Sequence, residues 1–206
     1  RRNLVNAVEM ATMDINEVAI CFNDYLFRGN RSTKTSIGDF DAFTSPNYPP
    51  LAEIGISIEQ KTKEKKTGGN PRWYSSFSDE IALITIHPNL HHQFLDCMNL
   101  DTTQAVILQA FGSGNFPIKG AYNLLPFLQK CRAHDVLVLI CSQALYDSVD
   151  LNSYESGREA LKMGAISAKN MTLEACLTKL MFLYGNYESS KKIHRLVQQP
   201  IAGEIG

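Results

Sequence analysis

Three apolar runs, Ile81 to Ile86, Ala105 to Leu108 and Val136 to Cys141, limit the folds open to this chain more than any other feature. They carry no polar residue at alternate positions, so each strand must bury both of its faces. Helical patterns stand between and after them: Tyr122 to Cys131, Arg158 to Met163, and a stripe of Leu173, Cys176, Leu177, Leu180 and Tyr184. Strands buried on both faces and alternating with amphipathic helices predict a parallel α/β sheet. Thr172 or Asn170 suits the N-cap of the last of these helices, and Gly185 suits the residue just past its end.

The N-terminal third reads differently. Leu4, Val5, Ala7, Val8 and Ala11 recur at helical spacing, which predicts a helix over residues 3–13. Val18 to Phe22 and Tyr25 to Phe27 read as strands about the turn residues Asn23-Asp24. Asp39, Phe40 and Phe43 suggest a short helix, and Leu51 to Ile58 a strand. Residues 61–66 then hold five charges in six positions, followed by Gly68-Gly69-Asn70-Pro71. This shift in composition reads as a linker, with an exposed hairpin inside one domain as the alternative. The division expected is residues 1–60, a linker over 61–80, and an α/β domain over 81–206. No internal repeat is visible.

Composition narrows the function classes. Of 206 residues, 44% are hydrophobic and 20% charged, and the net charge is −1, so the chain is globular and offers no global attraction to nucleic acid or anionic lipid. No apolar run reaches the ~20 residues of a membrane helix. We therefore expect neither a nucleic-acid nor a membrane partner. The five cysteines (Cys21, Cys97, Cys131, Cys141, Cys176) are odd in number and show no CxxC spacing, which fits reduced thiols in a cytoplasmic protein. No metal site is expected: close ligand pairs are missing, and the adjacent His91-His92 point in different directions in regular structure. The opening Arg1-Arg2-Asn3, without Met and without a signal peptide, suggests that sequence precedes it.

In parallel α/β sheets the loops at the carboxyl ends of strands carry chemistry. Gly112 to Asn115, Ser142 to Tyr154 and the Thr33-Lys34 stretch qualify by position. Glycines in the first allow close backbone approach, Asn115 offers a donor and an acceptor, and the spacing is not that of a dinucleotide fingerprint. Lys34 is either a proton-relay group or a solvated surface lysine, and Tyr154 either a proton donor or a packing aromatic. No nucleophile elbow occurs. On these grounds an enzyme and a binding module are equally acceptable.

The strings themselves say more. FRGNRSTKTSIGDFDAFTSPNYPPLAEIG resembles the segment around the catalytic lysine of L-asparaginases. FGSGNFP and YESGREALKMGAISAKNMTLEACLTKLMFLYG resemble the C-terminal domain of that family, and IAGEIG its terminal stretch. The subtype resembled is type I, the cytoplasmic form. The resemblance implies a two-domain α/β fold of parallel sheets flanked by helices, here with an incomplete N-terminal domain. It implies hydrolysis of L-asparagine to aspartate and ammonia, without a cofactor, through an acyl-enzyme on a threonine. A second threonine, an aspartate and a lysine would relay protons.

Carried over by the same strings, Lys34 falls on the catalytic lysine, within Ser-Thr-Lys, with Thr33 beside it at the substrate. Tyr154 falls on a tyrosine that some type I enzymes bring onto the substrate. Asn115 falls on the asparagine of a Gly-x-Gly-Asn loop that approaches a neighbouring subunit's site. A homodimer or homotetramer with active sites at the subunit interface is thereby implied. Glu155 lies near an acidic group of the periplasmic form, but the strings do not fix its register. The family's Thr-Gly-Gly-Thr and Thr-Asp motifs are missing from these residues, and Asp101-Thr102 has the reverse order. Gln109 and Ala144 stand where some bacterial enzymes have the arginine and cysteine of an allosteric asparagine pocket, so no such regulation is expected. Two alternatives remain at this point: a glutamine-hydrolysing amidotransferase subunit acting with tRNA, and a non-catalytic dimerising fragment.

Overall fold

The computed structural model describes residues 1–39, 41–62, 70 and 72–206. It divides into two compact units, Arg1–Trp73 and Tyr74–Gly206. Phe40 and part of the expected linker, including Gly68, Gly69 and Pro71, lie outside the described residues.

In the first unit, helix α1 (Arg2–Met10) is followed by strands β1 (Ala19–Phe22), β2 (Tyr25–Arg28), β3 (Thr33–Lys34), β4 (Phe43–Thr44), β5 (Ala52–Ile54) and β6 (Ile58–Gln60). The sheet order is β1-β2-β5-β6, with β3 and β4 forming a separate ribbon, and every pairing among the described residues is antiparallel. The β1–β2 turn puts Asn23 at φ 52°, a conformation that asparagine tolerates well. Met10, Leu26, Leu51 and Ala52 form the small core.

Two sequence expectations are corrected here. The strand expected over Leu51 to Ile58 is a hairpin, β5 and β6, turning at Gly55-Ile56-Ser57, where the Gly55 amide donates to Ser57 O at 3.1 Å. Ile56 supplied the apolar signal yet lies fully exposed at the tip. No helix includes Phe43, which belongs to β4 opposite Lys34. Ser36 Oγ accepts from the Gly38 and Asp39 amides, so that stretch is a side-chain-stabilised turn.

The second unit runs β7 (Ile81–Thr85), β8 (Ala105–Ala110), α2 (Leu125–Ala133), β9 (Leu137–Ser142), α3 (Glu155–Lys162), β10 (Ile166–Ser167), α4 (Leu173–Asn186) and α5 (Ser190–Val197). Its sheet has the order β10-β9-β8-β7 and is parallel throughout. The pleat sends alternate residues of β8 and β9 into two cores. Val106, Leu108, Val138 and Ile140 pack with Phe127, Leu128 and Ala160 on one face. Ala105, Ile107, Leu137 and Leu139 pack with Cys176, Leu180, Ile193 and Val197 on the other. Burial of both faces explains the uninterrupted apolar runs of β8 and β9. Strand β7 lies at the sheet edge, and the expectation that it buries both faces is corrected: Leu83 and Thr85 are exposed.

Thr172 is the N-cap of α4, its Oγ1 accepting from the Ala175 amide at 3.2 Å. Gly185 does not follow the helix; it lies inside α4. A Cβ there would stand 2.5 Å from Ser76 O, so the glycine serves a close backbone crossing rather than a helix stop. Two hydrogen bonds hold that crossing strap: Ser78 N to Met181 O at 2.9 Å and Asn186 Nδ2 to Ser76 O at 2.7 Å. Helix α5 has no counterpart in the sequence expectations, although Ser189 caps it and Ile193 and Val197 are spaced for one buried face. Cys131, Cys141 and Cys176 are buried, Cys21 half-buried and Cys97 exposed, and all five are free thiols.

Candidate functional site

Two groups of residues carry the chemistry expected from the sequence, one in each unit. In the first unit, Thr33 and Lys34 form β3 and pair with Thr44 and Phe43. Alternation along the strand buries Thr33 and exposes Lys34. The Lys34 ammonium lies 5.6 Å from the centroid of the Phe43 ring, within cation–π reach. The Thr35 amide donates to Ala42 O at 2.8 Å and closes the ribbon.

The residues before β3 form a firm base. Arg28 makes a two-point ion pair with Glu17, one arm of which is Nη2 to Oε1 at 2.7 Å. The Glu17 carboxylate raises the Arg28 guanidinium above its ordinary range. Arg28 also stacks over Tyr48 at 4.1 Å, and Arg31 approaches the same ring at 5.4 Å. Ser32 Oγ donates to Arg28 O at 2.7 Å. Lys34 thus extends from a segment anchored by buried cations, a planar aromatic and a hydroxyl.

In the second unit, β8 ends at Ala110 and the chain turns through Phe111–Asn115. Phe111 and Asn115 exchange both backbone hydrogen bonds, at 2.9 and 2.8 Å. Gly114 has φ 97°, and a Cβ on it would meet Leu151 Cδ2 at 2.8 Å, so both conformation and space require glycine. The Ser113 hydroxyl accepts from the Asp150 amide at 2.9 Å and links this turn to the loop after β9. Asp150 in turn accepts from the Asn152 amide at 3.0 Å and from Ser153 Oγ at 2.9 Å, and these donors hold its carboxyl below the usual carboxylate range.

That loop delivers Tyr154 as the N-cap residue of α3, with its side chain 48% exposed. Asn115, Phe116, Lys119, Tyr154 and Ser156 line a concavity of about 440 Å³. Lys119 Nζ lies 3.8 Å from Glu155 Oε2 across its rim. Ser156, almost fully buried, donates to Asn115 Oδ1 at 2.7 Å. The structure therefore brings Thr33 together with Lys34, and Asn115 together with Tyr154, each pair within its own unit. Sequence reasoning passed over Ser156 and Lys119. The only signal for Ser156 was a small hydroxyl residue in the first turn of a helix, a common feature that says nothing of its partner.

Among the described residues no group of three or more His, Cys, Asp and Glu side chains is arranged to hold a metal. His91 Nδ1 accepts from the Gln93 amide at 3.3 Å, and its ring meets Tyr122 edge-on. Nor is any helix among them long and apolar enough to cross a membrane.

Both units match one family. The family model for the Glutaminase/Asparaginase C-terminal domain covers residues 80–197, and that for the asparaginase N-terminal domain covers residues 1–66. The chain belongs to the asparaginase/glutaminase family. Within it, the likeness is to type I L-asparaginases. L-asparaginase 1 of Escherichia coli is 33% identical over 98% of this chain. The thermostable L-asparaginase of Thermococcus kodakarensis superposes with a TM-score of 0.92 at 32% identity, over all of this chain and 62% of that one. One subunit of the glutamyl-tRNA(Gln) amidotransferase of Thermoplasma acidophilum is 32% identical over the whole chain and half of its own length. The chain spans 60% of the length of the Escherichia coli relative.

Proposed function

We propose that the whole protein to which these residues belong is a cytoplasmic type I L-asparaginase, hydrolysing L-asparagine to L-aspartate and ammonia. The observation that carries the reading is the Thr33-Lys34 pair, presented on a short ribbon over a braced arginine base. Residues 1–60 are the end of the N-terminal α/β domain in this reading, 61–80 the linker, and 81–206 the C-terminal domain.

In the proposed mechanism a threonine hydroxyl attacks the side-chain amide carbon of asparagine. Its proton passes through a second threonine, an aspartate and Lys34 to the departing ammonia. The positive charge of Lys34 favours the alkoxide form of the relay hydroxyl. Backbone amides stabilise the oxyanion, and water then releases aspartate from the acyl-enzyme. Thr33 and Tyr154, each described within its own unit, are assigned to substrate contact, and Asn115 to the site of a neighbouring subunit in a homodimer or homotetramer. The attacking threonine lies in a Thr-Gly-Gly-Thr motif and its helper in a Thr-Asp motif, neither of which occurs among the 206 residues. No cofactor takes part. Gln109, whose Oε1 accepts from Thr85 Oγ1 at 2.8 Å, replaces the arginine of the allosteric pocket, so asparagine acts only as substrate.

The test is ammonia release by the whole protein with L-asparagine and with L-glutamine, before and after Lys34→Ala. Release from asparagine that Lys34→Ala leaves near full rate would sink the assignment of Lys34. The likeness to one subunit of an amidotransferase favours a second reading, glutamine hydrolysis that feeds ammonia to a tRNA-bound substrate. Stable association with tRNA and a partner subunit, together with glutamine-dependent ammonia release, would replace the first reading by the second.

A further inference from the structure

Asn115 has spent its backbone. Its amide and its carbonyl are both taken by Phe111, so only the side-chain amide faces the concavity beside Tyr154. A free Asn side chain presents either end of its amide, oxygen or nitrogen, by rotating about its last bond. Here the oxygen is already engaged by the Ser156 hydroxyl at 2.7 Å.

The direction of that bond follows from its surroundings. Ser156 lies in the first turn of α3, and its hydroxyl donates to the Asn115 side chain rather than to the carbonyl four residues earlier, Asn152 O, which accepts from Arg158 Nη1 at 2.8 Å. The Ser156 hydroxyl is 2% exposed, so water does not compete for its proton. It donates to Asn115 Oδ1, which leaves the two Nδ2 hydrogens of this concavity-lining residue as its remaining side-chain donors. The concavity is also lined by the Tyr154 phenol and by Lys119, whose ammonium lies 3.8 Å from the Glu155 carboxylate, so the Asn115 NH₂ group is the neutral donor there for an oxygen atom of a carboxylate or an amide carbonyl.

We propose that Ser156 is a positioning residue that orients the Asn115 amide, with its NH₂ outward, for an oxygen-bearing substrate group. This inference rests on the L-asparaginase reading of the same loop. Ser156 does not touch the substrate; it sets affinity through Asn115.

A double-mutant cycle in the whole protein tests it, with kcat and KM for L-asparagine as readouts. Ser156→Ala is expected to raise KM about fivefold at a nearly constant kcat, and Asn115→Ala roughly tenfold or more. In the Asn115→Ala background, Ser156→Ala should add nothing. An equal effect of Ser156→Ala in both backgrounds would show that the serine acts by packing alone and would overturn the proposal. Asn115→Asp, at an exposed position that tolerates exchange, keeps the acceptor for Ser156 but removes the donors. It should cost as much affinity as Asn115→Ala, and an unchanged KM would equally overturn the inference. If the protein hydrolyses no asparagine, the functional reading fails, and the orientation is judged by NMR. The ¹⁵N order parameter of the Asn115 side-chain amide should then fall from a rigid value to below about 0.6 in Ser156→Ala, and a value unchanged by the mutation counts against the proposal.

Discussion

Lys179 Nζ and Glu204 Oε1 meet at 2.6 Å inside the second unit, with 4% and 5% of their side-chain surfaces exposed. The ammonium also donates to Gln199 O at 2.6 Å, and the carboxylate accepts from the Ile201 and Ala202 amides. One buried pair therefore ties the C-terminal stretch back onto α4. Burial lowers the Lys179 ammonium from its ordinary value, more than Glu204 restores it. Burial also acts to raise the Glu204 carboxyl, but the ammonium and the backbone amides outweigh it and hold it below the ordinary range.

Removing one partner leaves a charge without compensation. Lys179→Met should destabilise the second unit by about 3 kcal/mol, whereas Lys179→Met with Glu204→Leu should recover most of the loss. Thermal melts of the single and double variants decide this. Equal losses in both would mean that the pair is worth more than its desolvation costs.

Acid should unfold the protein through Glu204 and Asp150. Both carboxyls lie below their ordinary values in the fold, so the unfolded chain binds more protons than the folded chain as pH falls. Their contribution is fully present above about pH 5 and fades as pH drops through the folded values. Glu204→Gln should flatten that acid limb of a Tm-against-pH profile. A limb of unchanged slope would assign the acid loss to other groups.

Lys34 is exposed on β3, so its removal should leave folding intact. In the whole protein, Lys34→Ala is expected to lower turnover of L-asparagine by about 10²- to 10⁴-fold with Tm little changed. The 206 residues expressed alone should release no ammonia, because neither threonine motif is among them. A coupled ammonia assay on both preparations reads the outcome.

Helix α1 turns Leu4, Val5 and Val8 outward at 71%, 57% and 62% exposure while burying Asn6. The Asn6 amide donates to Asn23 O at 2.7 Å, which fixes this orientation. An exposed apolar row of this kind favours self-association. Replacing all three by Ser should cost less than about 0.5 kcal/mol per site and reduce light scattering of the isolated chain. Scattering that does not change would place the sticky surface elsewhere.

Gly185→Ala places a methyl group 2.5 Å from Ser76 O. The gain in helix propensity is about 1 kcal/mol, but backbone cannot yield as a flexible side chain does. We expect net destabilisation and faster hydrogen exchange at the Ser78 amide. A stabilised variant would show that the strap moves freely.

Much of the second unit was legible because its periodicity is local. Ile107 and Leu108 are both apolar since the pleat points one into each core, and no other parallel strand pattern permits that run. Local chemistry also placed Thr172 at a cap and Asn23 in a turn. The readings that failed lacked tertiary information: Ile56 looked like a strand residue though it caps a hairpin, and Gly185 looked like a stop though it permits a crossing.

By itself the amino-acid order determined the parallel α/β unit, the helix and turn chemistry, and the strings that resemble the asparaginase family around Lys34 and Asn115. Only tertiary structure decided that Ser156 would hold the amide of Asn115, 41 residues away in sequence, and that Lys179 would meet Glu204 in a dry interior. Periodicity records which face of an element is apolar. It carries no record of which two polar groups, distant along the chain, share one hydrogen bond once the elements have packed.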